Sequence, residues 1–221
     1  MKKIAFYSLL LIILVGCKNE KETNSEAKPM TIGALTISTE HPQPGETIDI
    51  IYKNNDSEVE AFYRYVVGKD SYPVDIDFSK DENDYKSSIK IPDSALALAF
   101  IFKSDDKYDD NEKQGYLIAL YDDNGNKLTG SGASMAYFSN YQGSSYGIKM
   151  EDKAIAEAIK ADMDANPDLK KDWEVSYLEL VNKMDKEKGQ KLIDEYLASH
   201  SNSAKDEEDY TAMMRLYTVT K

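Results

Sequence analysis

Between residues 31 and 128 the apolar positions fall on alternate residues. Residues 46–52 place Ile48, Ile50 and Tyr52 on one face, and residues 59–67 place Val59, Ala61, Tyr63, Tyr65 and Val67 on one face with Phe62, Arg64 and Val66 on the other. Residues 85–91 set Ile89 and Ile91 against serines and lysines. Residues 96–103 carry Leu96, Leu98, Phe100 and Phe102 on one side and Ala97, Ala99 and Ile101 on the other. Residues 116–121 are apolar on both sides, which predicts a buried central strand. Residues 32–38 read as a first strand and residues 74–78 as a short edge strand. Turn chemistry separates the runs: Pro42, Pro44 and Gly45, then Asn54-Asn55-Asp56, then Asn124-Gly125. About seven short antiparallel strands in ~100 residues predict an Ig-like β-sandwich over 31–128, without the Cys-Trp-Cys marks of antibody domains.

Residues 129–149 break this pattern. They are rich in Gly, Ser and Tyr and read as a connector whose aromatics pack at a junction. From residue 150 to 221 the period becomes 3.6. Helices are predicted at 151–165 (Ile155, Ile159, Met163), 170–184 (Trp173, Tyr177, Leu180, Val181), 187–199 (Leu192, Ile193, Tyr196, Leu197) and 206–217 (Tyr210, Met213, Met214, Tyr217). Asn166-Pro167 is a stop-and-restart signal, with Asn as N-cap and Pro at the first helical position. The two hairpins start about one tetratricopeptide (TPR) period apart, ~34 residues. The expected fold class is therefore α+β, a sandwich followed by a small TPR-like helical hairpin domain.

The first residues carry an address. Lys2 and Lys3 form a positive start, and residues 4–15 (IAFYSLLLIILV) are an apolar run in the range of a secretory h-region. A membrane-spanning helix needs ~20 apolar residues, so the run is short for an anchor. It ends in Leu14-Val15-Gly16-Cys17, the pattern of a bacterial lipobox. Residues 1–16 read as a lipoprotein signal peptide and Cys17 as the lipidation site, its thiolate taking a diacylglycerol. Stable attachment to a lipid bilayer needs two or more chains, at ~0.8 kcal/mol per buried methylene. Residues 17–30 (CKNEKETNSEAKPM) read as a disordered tether. Lys18 follows the lipidated residue where an Asp would favour inner-membrane retention, so the expected location is the cell envelope, with the outer membrane favoured.

Charge and composition narrow the chemistry. The chain of 221 residues has a net charge of −13, which argues against nucleic acid as a partner. An acidic body is also repelled by anionic lipid, so attachment is expected through lipid alone. One cysteine permits neither a Cys-x-x-Cys pair nor a Cys-based zinc site. Of the two histidines, His41 precedes a proline in a turn and His200 follows a helix in a Ser/Asn-rich joint; both are expected to face solvent. No Gly-x-Ser-x-Gly, His-Glu-x-x-His, P-loop or dinucleotide fingerprint occurs, and no enzyme activity or cofactor is expected. Asp105, Asp106, Asp109, Asp110, Asn111 and Glu112 could supply oxygen ligands to Ca²⁺, but the EF-hand spacing is missing and a solvated acidic loop is the favoured reading.

The order of lipobox, charged tether, sandwich and helical hairpins resembles the N-terminal half of TlpA-type envelope thiol-disulfide reductases, a thioredoxin-like family. The segments that carry the resemblance are QGYLIALYDDNGNKLT at 114–129, GASMAYF at 132–138 and AIAEAIKADMDANPDLKKDW at 154–173. In that family a C-terminal thioredoxin domain supplies a Cys-x-x-Cys, whose first thiol is the nucleophile. No redox residue carries over, because Cys17 sits at the lipidation site. The resemblance implies a non-catalytic module that anchors or positions a protein partner. The competing expectation is an envelope lipoprotein that binds a protein or glycan ligand.

Overall fold

The structure is a computed structural model that describes residues 28–55, 58–201 and 206–220. The predicted signal peptide, Cys17, the predicted tether up to residue 27 and Asp56 of the predicted turn lie outside the described residues.

Ten strand segments form two antiparallel sheets: β1 (Met30–Ile32), β2 (Leu35–Ile37), β3 (Thr47–Lys53), β4 (Glu60–Val67), β5 (Asp70–Asp75), β6 (Ser79–Asp81), β7 (Asp84–Lys90), β8 (Ala97–Ser104), β9 (Lys107–Tyr108) and β10 (Tyr116–Ala119). The first sheet runs β1-β2-β3-β7-β6 and the second β10-β8-β4-β5, with β9 folded back on β8. Ile48, Ile50 and Tyr52 of the first sheet meet Tyr63, Leu98, Phe100 and Phe102 of the second in one core. Tyr52 lies flat on Phe102, with ring centroids 3.8 Å apart. The two faces predicted for residues 59–67 are the two faces of β4.

Five helices follow: α1 (Ser131–Tyr141), α2 (Asp152–Ala165), α3 (Lys170–Met184), α4 (Lys186–His200) and α5 (Glu207–Val219). The last four stand where the periodicity places them. Two begin on side-chain caps, Asp185 accepting from the Lys188 amide at 3.0 Å and Asp206 from Asp209 at 3.0 Å, while Asn166 accepts from the Asp168 amide at 3.2 Å to cap the 3-10 turn Pro167–Leu169 that leads into α3.

Several elements differ from the sequence reading. The predicted connector 129–149 contains α1 and a 3-10 turn at Gly143–Tyr146. α1 packs Phe138 and Met135 against Val66, Ala97, Ala99 and Ile101 on the outer face of the second sheet. Its opposite side sets Ala133 and Ala136 against Ile155 and Ile159 of α2. A helix covered on two sides has no polar face, so its sequence shows no amphipathic period. β10 is the end strand of its sheet rather than a central one. It is apolar on both sides because the sandwich interior covers one face and the α1 layer the other. Residues 32–38 are not a single strand. β1 and β2 form a hairpin that turns at Gly33, and Met30, assigned to the tether, already pairs with Ile37. His200 is the half-buried last residue of α4, not part of a solvent-facing joint.

Candidate functional site

A groove of about 720 Å³ opens where the β4–β5 hairpin, the residues leading into α1 (Thr129, Gly130), α3 and α5 converge. The hairpin turns tightly at Gly68, whose φ of +61° suits a residue without a Cβ. Arg64 fixes it from within: its Nε donates to Ser71 Oγ at 2.8 Å and Nη2 to the Ser71 carbonyl at 2.9 Å. Ser71 Oγ in turn donates to Gln142 Oε1 at 2.6 Å, which ties the hairpin to the end of α1.

This bracing holds Lys69 over an aromatic pair. Its ammonium lies 5.3 Å from the ring centre of Trp173 on α3 and 5.9 Å from that of Tyr137 on α1. The two rings meet edge to face at 5.7 Å. No carboxylate of the described residues forms an ion pair with Lys69; its attraction is to the ring faces. Burial, and then the Arg215 charge, lower the Lys69 pKa below the usual lysine range, against the opposing pull of Asp172, Glu179 and Glu208. Burial likewise raises the Tyr137 phenol above its ordinary value. Arg215 is already committed: its Nε and Nη2 bond both carboxylate oxygens of Glu179, at 3.1 and 2.6 Å. The groove therefore has an apolar floor of Leu96, Leu169 and Trp173, the cations Lys69, Lys171 and Arg215, and acidic residues Asp172, Glu207 and Glu208 along its rim.

The acidic loop is elsewhere. Asp105 and Asp106, at φ +47° and +61°, are the turn between β8 and β9, and Asp106 pairs with Lys103 at 2.8 Å. Asp109 points inward and accepts from the hydroxyls of Tyr52 at 2.8 Å and Tyr116 at 2.5 Å. That loop is thus a turn followed by an inward tie to the core, and only part of it is solvated. Among the described residues no cluster of three or more His, Cys, Asp or Glu could hold a metal ion. His41 lies against Tyr121 and His200 stacks on Tyr196, so the structure does not bring the two histidines into one site. Cys17 lies outside the described residues.

Sequence reasoning passed over Lys69. A lone lysine between two strands carries no motif, and the only available signal was the Gly68-Lys69 pair at a strand break. Comparison with protein-family models and with curated proteins finds no match for this chain.

Proposed function

We propose that this chain is a bacterial envelope lipoprotein, anchored by acylated Cys17, whose body positions or binds a protein partner. The observation that carries the reading is the start of the chain: Lys2-Lys3, the apolar residues 4–15, and Leu14-Val15-Gly16-Cys17. On this reading residues 1–16 are removed, residues 17–30 stand the body off the bilayer, and Lys18 favours the outer membrane. The sandwich is Ig-like and the helices form a TPR-like stack, like the N-terminal region of a TlpA-type reductase. The role is positional because the single cysteine is used for the anchor.

The groove supports the binding side of this reading and favours a protein ligand over a glycan. Sugars stack on open aromatic faces, whereas Trp173 is 2% exposed. A braced lysine that forms no ion pair with a described residue, above an apolar floor, suits a peptide segment that brings a carboxylate.

Two measurements test the reading. Cells fed a tagged fatty acid are expected to label the wild-type chain, while Cys17→Ser accumulates as an unlabelled, uncleaved precursor; equal labelling of the variant overturns the anchor. Trp173 is the only tryptophan, so its emission reports the groove directly. It is expected to titrate with a midpoint below the ordinary lysine value of 10.5, and that step should vanish in Lys69→Met. An unchanged titration in the variant removes Lys69 from the groove.

A further inference from the structure

We infer that the groove binds a short free peptide, its α-carboxylate on Lys69 and its α-ammonium at Glu207 and Glu208. This rests on the groove being a peptide site and adds which peptide it takes.

The groove carries opposite charge at its two ends. α3 and α5 run side by side in the same direction, since Glu179 faces Arg215 and Asn182 faces Val219. Along α5 the groove is lined by Glu207 and Glu208 at the helix start, then by Thr211 and Ala212, then by Arg215. By the same displacement Asp172 of α3 stands level with Glu208. Lys171 offsets one of these three carboxylates, so this end is net acidic. The other end holds Lys69 and the Arg215–Glu179 pair and is net basic. Of the charges around Lys69, Arg215 acts on it most strongly and Glu208 least, with Asp172 and Glu179 between. Charge interactions weaken with distance, so the ammonium sits toward the Arg215 end.

The spacing selects the ligand. Glu208 and Arg215 are about two helical turns apart, ~10 Å at a rise of ~1.5 Å per residue. Helical side chains all lean toward the N-terminus, so the head groups keep that separation. An extended chain advances about 3.3–3.6 Å per residue, so about three residues span the same distance. A single amino acid is too short to reach both ends, and a longer chain runs past one of them. Leu96, Leu169 and Trp173 lie on the floor, which suits an apolar middle side chain. An internal segment of a protein brings neither terminal charge, and a protein C-terminus brings no α-ammonium. A free peptide presents both.

The test uses the full-length chain in detergent and the probe Ala-Leu-Ala, followed by calorimetry and by the emission of Trp173. The free tripeptide is expected to bind, and N-acetylation or C-terminal amidation should each weaken it ~10-fold or more, the loss of one charge-assisted contact. Lys69→Met should weaken the free tripeptide as much as amidation does, yet leave the affinity of the amide unchanged. Glu207→Gln combined with Glu208→Gln should bear the same relation to the acetylated form. If the acetylated peptide binds as tightly as the free one, this proposal falls, while a carboxylate site for a protein tail stands. If the amide binds as tightly as the free acid, the carboxylate reading of the groove falls with it. Absence of heat and of any emission change up to millimolar tripeptide also overturns the proposal. The fatty-acid label on Cys17 reports the anchor independently of these outcomes.

Discussion

Asp109 joins three parts of the molecule through one carboxylate. It receives the hydroxyl of Tyr52 from the first sheet and that of Tyr116 from the second, and its other oxygen accepts the Asn111 amide at 3.0 Å. Removing the acceptor leaves two inward-facing phenols without it. Asp109→Ala is expected to cost about 1–3 kcal/mol in denaturant unfolding, and Asp109→Asn, which keeps an acceptor, less. Tyr116 is pushed above its ordinary pKa of 10.0 by burial first and by Asp109 second. Its folded pKa is the higher one, so its contribution to stability is complete below pH 10 and is lost as pH rises toward the folded value. Above pH 10 the unfolded phenol ionises while the folded one stays protonated. Stability should fall with a slope of about 1.4 kcal/mol per pH unit from this residue, and Tyr116→Phe should remove that share of the slope in alkaline titrations.

Two elements depend on small residues. α3 and α4 cross so closely that a Cβ on Gly189 would lie 2.2 Å from the Asn182 Cα and 2.6 Å from its nitrogen. Those are backbone atoms, so no rotamer change relieves the contact. Gly189→Ala gains about 1 kcal/mol of helix propensity and loses more to overpacking. The net expectation is a loss of up to about 2 kcal/mol, read from the denaturation midpoint. α1 shows the reverse case. Its Ser134 is fully buried and the hydroxyl has no hydrogen-bond partner among the described residues. Ser134→Ala removes that unsatisfied group and improves propensity, and should raise stability by about 1 kcal/mol. A loss instead would mean that the hydroxyl has a role in the α1 layer.

At the scale of the molecule, α1 is the part that makes sheets and helices interdependent. It is the outer layer of the second sheet and also the neighbour of α2. A fragment of residues 28–128 would leave Val66, Ala97, Ala99 and Ile101 facing water. It is expected to bind a hydrophobic dye and aggregate, whereas extension through residue 148 adds the Phe138 and Ile148 cover. A soluble fragment 28–128 that does not bind the dye would show that the sandwich is independent of α1.

Much of the architecture was legible along the chain. Alternation placed β3, β4, β7 and β8 with their inner faces, the 3.6 period placed α2 to α5, and Asn166 read as a cap because its short side-chain oxygen reaches an amide two residues on. Those features are local, and local geometry is written in spacing. The proposed lipobox at Cys17 rests on the sequence alone. Tertiary structure decided the rest. A helix buried on two sides has no period to read, so α1 was hidden in a Gly, Ser and Tyr run. An end strand covered on both faces reads as a central one, as β10 did. The groove joins Lys69, Trp173 and Arg215 from three separate parts of the fold, with Tyr137 of α1 beside Lys69, and no spacing along the chain encodes a meeting that only packing creates.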